Sequence, residues 1–308
     1  MKIIMTGGAG FIGSHIVDRY IDLGHQVVIV DNLVTGYKKF INPQATFYEV
    51  DVRNKDQITD IFTREKPEVL NHHAAQMDVR KSVADPVFDA DVNIIGLINL
   101  MEAGKNAGVK QVIFASSGGA VYGDAEVLPT PETYPTQPAS PYGISKLTSE
   151  YYLHFYSQAY GIRYVALRYG NVYGPRQNPH GEAGVVAIFT KKLLAGDTPV
   201  INGDGLQIRD LVYVGDIVEA NVKALVCNKN LKVNIGTGKE TNVNEIFAQL
   251  VHLTRSSAKE THGVAKKGEQ RKSVLDTSLA KKEFGWESAT SFSEGLIRTV
   301  EYFKNENN

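Results

Sequence analysis

This sequence has one cysteine, almost no net charge and no long apolar run, and each of these features argues against a class of protein. The single cysteine, Cys227, cannot form an intramolecular disulfide, so we expect a protein of a reducing compartment such as the cytoplasm. A formal net charge of −1 gives no electrostatic basis for binding nucleic acid or an anionic membrane. No run reaches about 18 apolar residues, and there is no room for a signal peptide before the first apolar stretch, so we expect neither a membrane span nor secretion.

The sequence does contain an ordinary globular composition and a regular alternation of apolar patterns. Its 308 residues, 43% of them hydrophobic, are enough for one large domain or two modest ones. Short apolar runs that are typical of strands buried on both faces alternate with stretches whose apolar residues have helical spacing. Such alternation requires right-handed crossovers and a parallel sheet, so we predict an α/β fold of the doubly wound, Rossmann type. The predicted strands cover residues 2–7, 26–31, 46–51, 68–74 and 111–117, and a further strand is predicted at 163–174.

A glycine-rich turn, "MTGGAGFIGSH", follows the first predicted strand and opens the first predicted helix. Its glycines permit a tight turn and let the backbone approach a pyrophosphate, which the first N–H groups of the helix can hold. Asp31 ends the second strand, 18 residues after the last of these glycines. Its carboxylate can accept from both adenosine ribose hydroxyls and repels a 2′-phosphate, so the sequence predicts NAD rather than NADP. The residues assigned to the phosphates are Gly7, Gly10, Phe11, Ile12 and Gly13.

The ends of the neighbouring strands complete the predicted cofactor site. Asp51 and Val52 follow the third strand, where an adenine would lie, although an ordinary strand end is the alternative. The adjacent His72 and His73 are expected to line the cofactor wall and the underside of the sheet, because neighbours on a strand point to opposite faces. That geometry argues against a metal ion shared by the two rings. The other residues assigned to the cofactor here are Asn32, Ala74 and Ala75.

A tyrosine stands four residues before a lysine in "SPYGISK", residues 140–146. Tyr142 and Lys146 lie one turn apart on one side of a helix if the segment is helical. The pair alone does not distinguish catalysis from two side chains on a solvated helix face.

Four stretches in this order, "TGGAGFIG", "HHAAQ", "SPYGISK" and "RYGNVYGPRQ", give the chain a resemblance to the extended short-chain dehydrogenases/reductases. Within that superfamily it resembles the UDP-glucose 4-epimerases and related nucleotide-sugar epimerases over nearly its whole length. We therefore expect an NAD-binding Rossmann domain at 1–170, rejoined by about 207–236, and a smaller, partly interleaved nucleotide-sugar-binding lobe at 171–308. The resemblance also implies a homodimer that pairs through the helices near 91–107 and 142–160.

The resemblance assigns Tyr142 and Lys146 to catalysis. In the family, the tyrosine takes the proton of the sugar 4-hydroxyl while the C4 hydride moves to NAD⁺, and the 4-keto sugar turns over to receive the hydride on its other face. Free tyrosine ionises near pH 10, so a phenolate at neutral pH needs a pKa lowered by about three units, or roughly 4 kcal/mol. We expect the ammonium of Lys146 and the positive nicotinamide to lower it. Lys146 is also expected to hold the nicotinamide ribose.

The hydroxyl that assists the tyrosine in the family has more than one candidate in "FASSGGAVYG". Counting forward along the strand gives Ser117, which we favour because a rigid strand fixes a hydroxyl better than a glycine-containing loop. Counting back from the following tyrosine gives Gly118 instead, and Ser116 is the fallback. The related 4,6-dehydratases need an Asp-Glu pair where this chain has Gly118, Gly119 and Ala120, which argues against dehydration.

The second half of the sequence offers groups that a nucleotide-sugar diphosphate requires. Arg209 and Arg271 match the family's diphosphate-binding arginines, although surface ion pairing is the alternative for each. Ser273 falls where glucose-restricted members have a bulky tyrosine, so it either leaves room for an N-acetyl group or faces solvent. Asn93, assigned to the cofactor site, either braces the helix beneath the active site or is a plain polar helix position. Asn171 and Val185 are also assigned to the substrate, Val185 in a stretch, 181–189, that resembles the family's nucleotide-binding loop and helix start.

The sequence as a whole predicts an NAD-dependent 4-epimerase without a metal that interconverts UDP-glucose and UDP-galactose, and UDP-GlcNAc and UDP-GalNAc as well. One alternative is another nucleotide-sugar-modifying member of the superfamily, a reductase, a dehydratase or a different epimerase. The other is a non-catalytic NAD-sensing protein, which would have no need of the intact tyrosine–lysine pair.

Overall fold

The computed structural model of the chain describes residues 1–179, 184–265 and 270–306. Strands and helices alternate through the first half and become shorter and less regularly ordered after it. The strands are β1 (Lys2–Thr6), β2 (Gln26–Asp31), β3 (Thr46–Glu49), β4 (Val69–His72), β5 (Gln111–Ser117), β6 (Arg163–Tyr169), β7 (Asn171–Tyr173), β8 (Ile201–Asn202), β9 (Ile208–Arg209), β10 (Leu211–Tyr213), β11 (Leu231–Ile235), β12 (Thr241–Asn242), β13 (His262–Gly263) and β14 (Lys272–Ser273). The helices are α1 (Phe11–Asp22), α2 (Lys55–Glu65), α3 (Val79–Ala84), α4 (Pro86–Ala90), α5 (Gly96–Ala107), α6 (Gly118–Val121), α7 (Pro141–Tyr160), α8 (Val185–Leu194), α9 (Val214–Leu225), α10 (Val243–Thr254), α11 (Ser278–Phe284) and α12 (Phe292–Glu306).

Seven of the strands form one parallel sheet in the order β11-β6-β5-β4-β1-β2-β3. The chain winds outward from β1 through β2 to β3, then returns to β4 and winds the other way. The predicted Rossmann-type doubly wound sheet is therefore confirmed. In such sheets ligands bind at the carboxyl ends of the strands where the winding reverses, which here is the edge formed by the ends of β1 and β4.

Consecutive residues of β1 pack into two different cores. Ile3 and Met5 lie on one face of the sheet with Ile16 of α1, whereas Ile4 lies on the other face with Leu100 of α5. Side chains alternate between the faces of a strand, so a strand that is covered by helices on both faces needs an unbroken apolar run. This requirement explains the short apolar runs by which the sequence marks its strands.

Two predicted elements are interrupted in the structure. The stretch near 91–107, expected as one helix, contains a π-helical turn at Asp91–Ile95 between α4 and α5. The strand expected to run on after Arg163 is divided at Gly170, where β6 leaves β11 as its neighbour and β7 begins to pair with β10. A Cβ atom at Gly170 would lie 2.9 Å from the carbonyl oxygen of Asp210, so the chain can change partners there only without a side chain.

The second half of the chain builds a separate apolar cluster and also returns to the sheet. Helices α8, α10 and α12 pack around Phe189, Phe247 and Leu296. In contrast, α9 packs against α1, and β11 extends the edge of the main sheet beside β6. The domain boundaries inferred from the sequence stay a prediction. Among the described helices, none is both long and apolar enough to cross a membrane.

Candidate active site

The glycine-rich turn after β1 packs too closely for side chains. Gly7 has a φ of +70°, and a Cβ atom there would lie 2.7 Å from the backbone nitrogen of Ala74. A Cβ atom at Gly13 would lie 2.1 Å from the carbonyl oxygen of Gly7. No side chain caps the start of α1 at Gly10, so its first N–H groups are available to an anion. The residues predicted to hold the phosphates, Phe11 and Ile12, are the first two of this helix and are partly exposed.

Asp31 joins the glycine-rich turn to the end of β2. Its Oδ2 accepts from the backbone N–H of Ala9 at 3.0 Å, and its Oδ1 accepts from that of Leu33 at 2.8 Å. Burial raises the pKa of this carboxyl, and the two backbone hydrogen bonds oppose the rise. An ionised carboxylate has about four acceptor positions, so Asp31 can accept further hydrogen bonds from a ligand.

Asp51 organises the next part of the predicted cofactor wall. Arg53 holds its carboxylate through two hydrogen bonds of 2.9 Å and lowers the pKa of Asp51 to about 2. Asn32, which is exposed, donates to the same carboxylate at 2.9 Å. Val52 is buried, and its side chain would lie 2.6 Å from a Cβ atom at Gly96. The structure thus brings Asn32, Asp51 and Val52 together beyond the ends of β2 and β3.

The adjacent histidines at the end of β4 bond to different partners. His72 Nδ1 lies 2.6 Å from the hydroxyl of Thr6, whereas His73 Nε2 lies 3.0 Å from the hydroxyl of Tyr169. The N–H of Ala74 donates to Thr6 at 3.1 Å, which fixes the chain directly after the two rings. Ala74 and Ala75 are partly exposed where β4 meets the glycine-rich turn, as a cofactor wall requires.

Tyr142 and Lys146 share one side of α7, as their spacing predicts. The helix begins at Pro141, and Ser140 caps it by accepting from the N–H of Gly143 at 3.2 Å. The Nζ of Lys146 lies 5.7 Å from the centre of the Tyr142 ring and donates to the carbonyl oxygen of Ala115 at 2.8 Å. The lysine is therefore fixed between the first turns of α7 and the end of β5.

The two candidate serines at the end of β5 face opposite ways. Ser117 acts on the phenol of Tyr142 and lowers its pKa. Ser116 instead donates to Glu150 at 2.7 Å, inside a buried ion pair in which Arg168 and Glu150 are 2.6 Å apart. The alternation of side chains along the strand separates the two hydroxyls. The structure thus brings Ser117, and not Ser116, to the tyrosine.

The pKa of Tyr142 departs from the expectation drawn from its lysine neighbour. Burial raises the pKa of this phenol, the carboxylate of Asp89 raises it further, and only the hydrogen bond from Ser117 lowers it. Burial also lowers the pKa of Lys146 to about 8, against the attraction of Asp89. Desolvation of the phenol outweighs the effect of its protein neighbours. The expected lowering of this pKa by Lys146 together with a bound nicotinamide stays a prediction.

Ser273 lies close to the catalytic candidates. It is buried in β14, and its Oγ would lie 3.4 Å from a Cβ atom at Gly119, two residues after Ser117. The alternative that Ser273 faces solvent is therefore wrong. Arg209 of β9 is its partner in the parallel pairing of the two strands. Ser273 and Arg209 thus lie side by side in one small sheet.

The remaining substrate candidates are less closely grouped. Arg271 is exposed and forms two hydrogen bonds, of 2.9 and 3.0 Å, with the carboxylate of Asp204, which is the surface ion pairing considered for it. Asn171 is exposed at the start of β7. Val185 is the partly exposed first residue of α8, whereas residues 181–183 of the same predicted loop lie outside the described part of the chain.

Asn93 braces the chain beneath the site. Its side chain accepts from the N–H of Gln76 at 3.0 Å and donates to the carbonyl oxygen of the same residue at 2.9 Å. A third contact, a donation to Asp89 at 3.0 Å, ties it to α4. Of the two alternatives for Asn93, bracing is correct, and the plain polar helix position is wrong.

Two buried carboxylates of the site were not found from the sequence. Asp89 contacts Asn93, and Asp210 follows Arg209 directly. Asp210 accepts four hydrogen bonds of 2.7 to 3.1 Å from Thr237, Gly238 and Leu275 and so joins the strand of the arginine to two loops. The available signal for each was an acidic residue within an apolar stretch.

Residues 3–236 match the model of the NAD dependent epimerase/dehydratase family. That match spans the glycine-rich turn, Ser117, Tyr142 and Lys146. The chain belongs to this family. The predicted membership of the extended short-chain dehydrogenases and of the UDP-glucose 4-epimerase family, the predicted enzyme and the predicted NAD cofactor are thereby confirmed.

Solved structures of other family members are similar over the whole chain. A UDP-glucose 4-epimerase of Thermotoga maritima, solved with UDP-glucose, is 48% identical, with a TM-score of 0.99 and 100% of both chains covered. A UDP-glucose 4-epimerase of Thermus thermophilus in complex with NAD is 41% identical, with a TM-score of 0.94 and 99% of both chains covered. A UDP-N-acetylglucosamine 4-epimerase of Methanobrevibacter ruminantium, in complex with UDP-N-acetylmuramic acid, is 35% identical, with a TM-score of 0.94, 99% of this chain and 98% of that chain covered.

The residues of this family member fit its NAD cofactor. The glycine-rich turn leaves no room for a Cβ atom at Gly7 or Gly13. Because the turn is this tight, a bound pyrophosphate could approach the backbone N–H groups closely. Asp31 keeps acceptor capacity where an adenosine ribose would lie, and the buried Lys146 points its ammonium to the ends of β4 and β5. These three features lie along the edge of the sheet where the winding reverses.

Proposed function

We propose that this protein is a UDP-hexose 4-epimerase that interconverts UDP-glucose and UDP-galactose. The observation that carries the proposal is that Ser117 and Lys146 both act on the buried phenol of Tyr142: Ser117 lowers its pKa, and the ammonium of Lys146 lies 5.7 Å from the centre of its ring. Two hydroxyls that meet beside a cation form an acid–base site for a sugar hydroxyl. The proposal is supported by the names of the solved neighbours, which include UDP-glucose 4-epimerases.

In the proposed mechanism, Tyr142 accepts the proton of the sugar 4-hydroxyl and returns it to the same oxygen after the 4-keto sugar has turned over. Ser117 donates to that oxygen and keeps it within reach of the phenol. Lys146 stabilises the phenolate and holds the nicotinamide ribose. Bound NAD would supply the acceptor and donor of the C4 hydride and the positive charge of its oxidised nicotinamide. That added charge would offset the burial that raises the pKa of Tyr142.

The residues next to Ser117 favour epimerisation over elimination of water. Elimination across C5 and C6 needs an acid and a base at the sugar, and Gly118, Gly119 and Ala120 offer neither. The serine and tyrosine hydroxyls suffice for a reversible oxidation at C4, which moves only one proton and one hydride.

Proton NMR of UDP-galactose incubated with the purified protein tests the proposal. We expect the anomeric signal of UDP-glucose to grow until the two sugars reach equilibrium, with no net consumption of added NAD. Absorbance of the denatured protein would report NAD that was bound before the assay. Bound NAD without any C4 inversion would instead support an NAD-sensing protein and contradict the epimerase.

We further propose that the protein accepts the N-acetylated sugars, UDP-GlcNAc and UDP-GalNAc. Ser273 is small and buried against Gly119, so an acetamido group can lie where a tyrosine ring would stand in a glucose-restricted enzyme. A neighbour of 35% identity that is named a UDP-N-acetylglucosamine 4-epimerase supports the proposal.

The variant Ser273→Tyr tests this specificity. Overpacking a filled site costs about 1–3 kcal/mol, so the ratio of kcat/KM values for N-acetylated and plain sugars should fall roughly 10- to 100-fold. Ser273→Ala is the matched control, because it keeps the space and should leave the ratio unchanged. An unaltered ratio in Ser273→Tyr would contradict the assignment.

We also propose that the protein is a cytoplasmic homodimer. The single cysteine, Cys227, favours a reducing compartment, which fractionation of the source cells would test. Large apolar side chains are exposed on α3, α4 and α7, which pack side by side, and on the π-helical turn beside them. These exposed residues include Val83, Val87, Ile95, Ile144, Tyr151 and Phe155.

A further inference from the structure

Asp89 is a fully buried carboxylate whose hydrogen-bond partners within the described residues are all neutral. Its Oδ2 accepts from the hydroxyl of Ser145 at 2.6 Å. Its Oδ1 accepts from the side-chain amides of Gln76 and Asn93, each at 3.0 Å. These three donors come from the segment after β4, the π-helical turn and α7. Asp89 therefore lies where the three elements that carry the predicted site meet.

Neutral donors do not fully compensate the burial of a charge. An ionised carboxylate inside a protein needs an opposite charge nearby, since desolvation costs several kcal/mol. Lys146 is a buried cation, and a buried cation is stabilised by a negative charge nearby. The ammonium of Lys146 donates to the carbonyl oxygen of Ala115 and lies 4.8 Å from the centre of the Phe114 ring. Ser145, which holds Asp89, directly precedes Lys146 in the chain.

The other ionisable groups around Lys146 do not supply a negative charge at neutral pH. On β4, burial lowers the pKa of His73 to about 3 and that of His72 well below its usual value, so both rings are neutral. On α7, Glu150 is one turn further along and is paired with Arg168, and Tyr142 is a protonated phenol because burial raises its pKa. Among the described residues, Asp89 on α4 is the carboxylate whose charge raises the pKa of Lys146, against the effect of burial.

We propose that Asp89 is a positioning residue that keeps Lys146 charged and sets the protonation of the Tyr142–Lys146 pair. Its hydrogen bond to Ser145 fixes α7 at the turn that carries both residues. Its negative charge favours the ammonium and disfavours the phenolate, so it holds the resting site as ammonium and neutral phenol. The kinetic part of this inference rests on the proposed epimerase function, whereas the protonation of Lys146 does not.

The variant Asp89→Asn removes the charge and keeps the size of the side chain. Without the carboxylate, Lys146 loses an attraction and its pKa falls, and Tyr142 loses a repulsion and its pKa falls as well. The pKa values of Lys146 and Tyr142 therefore both fall. The pH profile of a reaction that needs a phenolate beside an ammonium should then move to lower pH at both limbs.

Titration of Lys146 by NMR tests the inference without any assay of activity. In protein labelled with ¹³C at the lysine ε-carbon, the Lys146 signal is assigned from its loss in Lys146→Met. We expect a midpoint of about 8 in the wild type and one lower by on the order of one pH unit in Asp89→Asn. Asp89→Glu, which keeps the charge, should restore most of the shift. An equal midpoint in Asp89→Asn and wild type would overturn the proposal.

Asp216→Asn is the matched control. Asp216 is another buried carboxylate held by neutral groups, with hydrogen bonds from Ser288 and Thr290 of 2.8 to 3.2 Å, and it belongs to α9 rather than to the site. The Asp216→Asn variant should lose about as much stability as Asp89→Asn. It should leave the titration midpoint of Lys146 unchanged. If Asp89→Asn does not fold, the wild-type titration decides alone, since a midpoint below pH 7 would show that Lys146 is not held charged.

The pH profile of kcat/KM for UDP-galactose adds the functional readout. A shift of both limbs to lower pH in Asp89→Asn supports the proposal, and a lower rate with unmoved limbs, as a purely structural role would give, overturns it. If the wild type has no epimerase activity, the proposed function fails while the NMR titration still tests Asp89.

Discussion

At the scale of single residues, the adjacent serines of β5 have opposite surroundings. Ser117 is partly exposed and lowers the pKa of Tyr142, whereas Ser116 is buried and donates a hydrogen bond to Glu150. A hydroxyl at the edge of a site can stabilise a reacting oxygen, whereas one inside an ion-pair network can only support packing.

Replacing each serine by alanine should separate these two roles. Ser117→Ala should lower kcat by roughly 10²-fold, the usual effect of removing a hydrogen bond made to the reacting oxygen. Ser116→Ala should lower the free energy of unfolding by about 1–3 kcal/mol, since a buried acceptor loses a donor, and should change kcat little. Steady-state kinetics and chemical denaturation of both variants measure these effects, and the reverse order would refute the assignment of Ser117.

Tyr142 is the residue on which the proposed chemistry depends most. Tyr142→Phe should lower kcat by roughly 10²–10⁴-fold, the range for loss of a general acid–base group, while bound NAD and affinity for UDP-sugars persist. Tyr151→Phe is the control, because Tyr151 lies on the same helix with 61% of its surface exposed. Near wild-type turnover in Tyr142→Phe would exclude the mechanism.

At the scale of secondary structure, α7 carries Tyr142 and Lys146 and is held against the sheet by a buried ion pair. Glu150, one turn after Lys146, forms two hydrogen bonds with Arg168 of β6, of 2.9 and 2.6 Å. Arg168 also donates to the hydroxyl of Tyr122 at 2.8 Å. The pair therefore fixes α7 against the sheet at the level of the site.

Breaking this pair should strongly destabilise the protein. Arg168→Met leaves Glu150 buried without its partner and should lower the free energy of unfolding by about 3–5 kcal/mol, as measured by denaturant titration. The double variant Arg168→Met/Glu150→Gln should recover part of the loss, because the unpaired charge is gone. Arg298→Ala, in the exposed pair with Glu294, should lower the free energy of unfolding far less, because solvent screens an exposed pair. Equal effects at the two sites would contradict this account.

At the scale of the whole molecule, three exposed apolar residues of α7 lie on one side of the helix. Ile144, Tyr151 and Phe155 are spaced by 7 and 4 residues, which places them on a single stripe. Val87 on the neighbouring α4 is 78% exposed. An exposed apolar surface of this kind is typical of an interface between protein chains.

The double variant Tyr151→Glu/Phe155→Glu tests the proposed homodimer. Two charges on the stripe should convert the dimer to a monomer, because a buried interface does not tolerate unpaired carboxylates. Sedimentation velocity measures the change in mass. Val226→Glu, at an exposed apolar position after α9, should leave the dimer intact. A monomeric wild type would contradict the proposal.

The fold and the position of the catalytic candidates follow from local patterns in the sequence. An unbroken apolar run is needed for a strand covered on both faces, and a glycine turn before a helix is needed for close backbone packing, as at Gly7 and Gly13. The four-residue spacing of Tyr142 and Lys146 places them on one helix face whatever surrounds the helix. Such local geometry needs no knowledge of distant contacts.

Only the tertiary structure decided which groups surround these residues. It separated Ser117 from Ser116 and buried Ser273 against Gly119. It also joined Asp89 to Ser145, the residue before Lys146, and buried the phenol of Tyr142, which raises its pKa. Desolvation and long-range charge depend on what the fold packs against a residue, and neither is encoded in spacing along the chain.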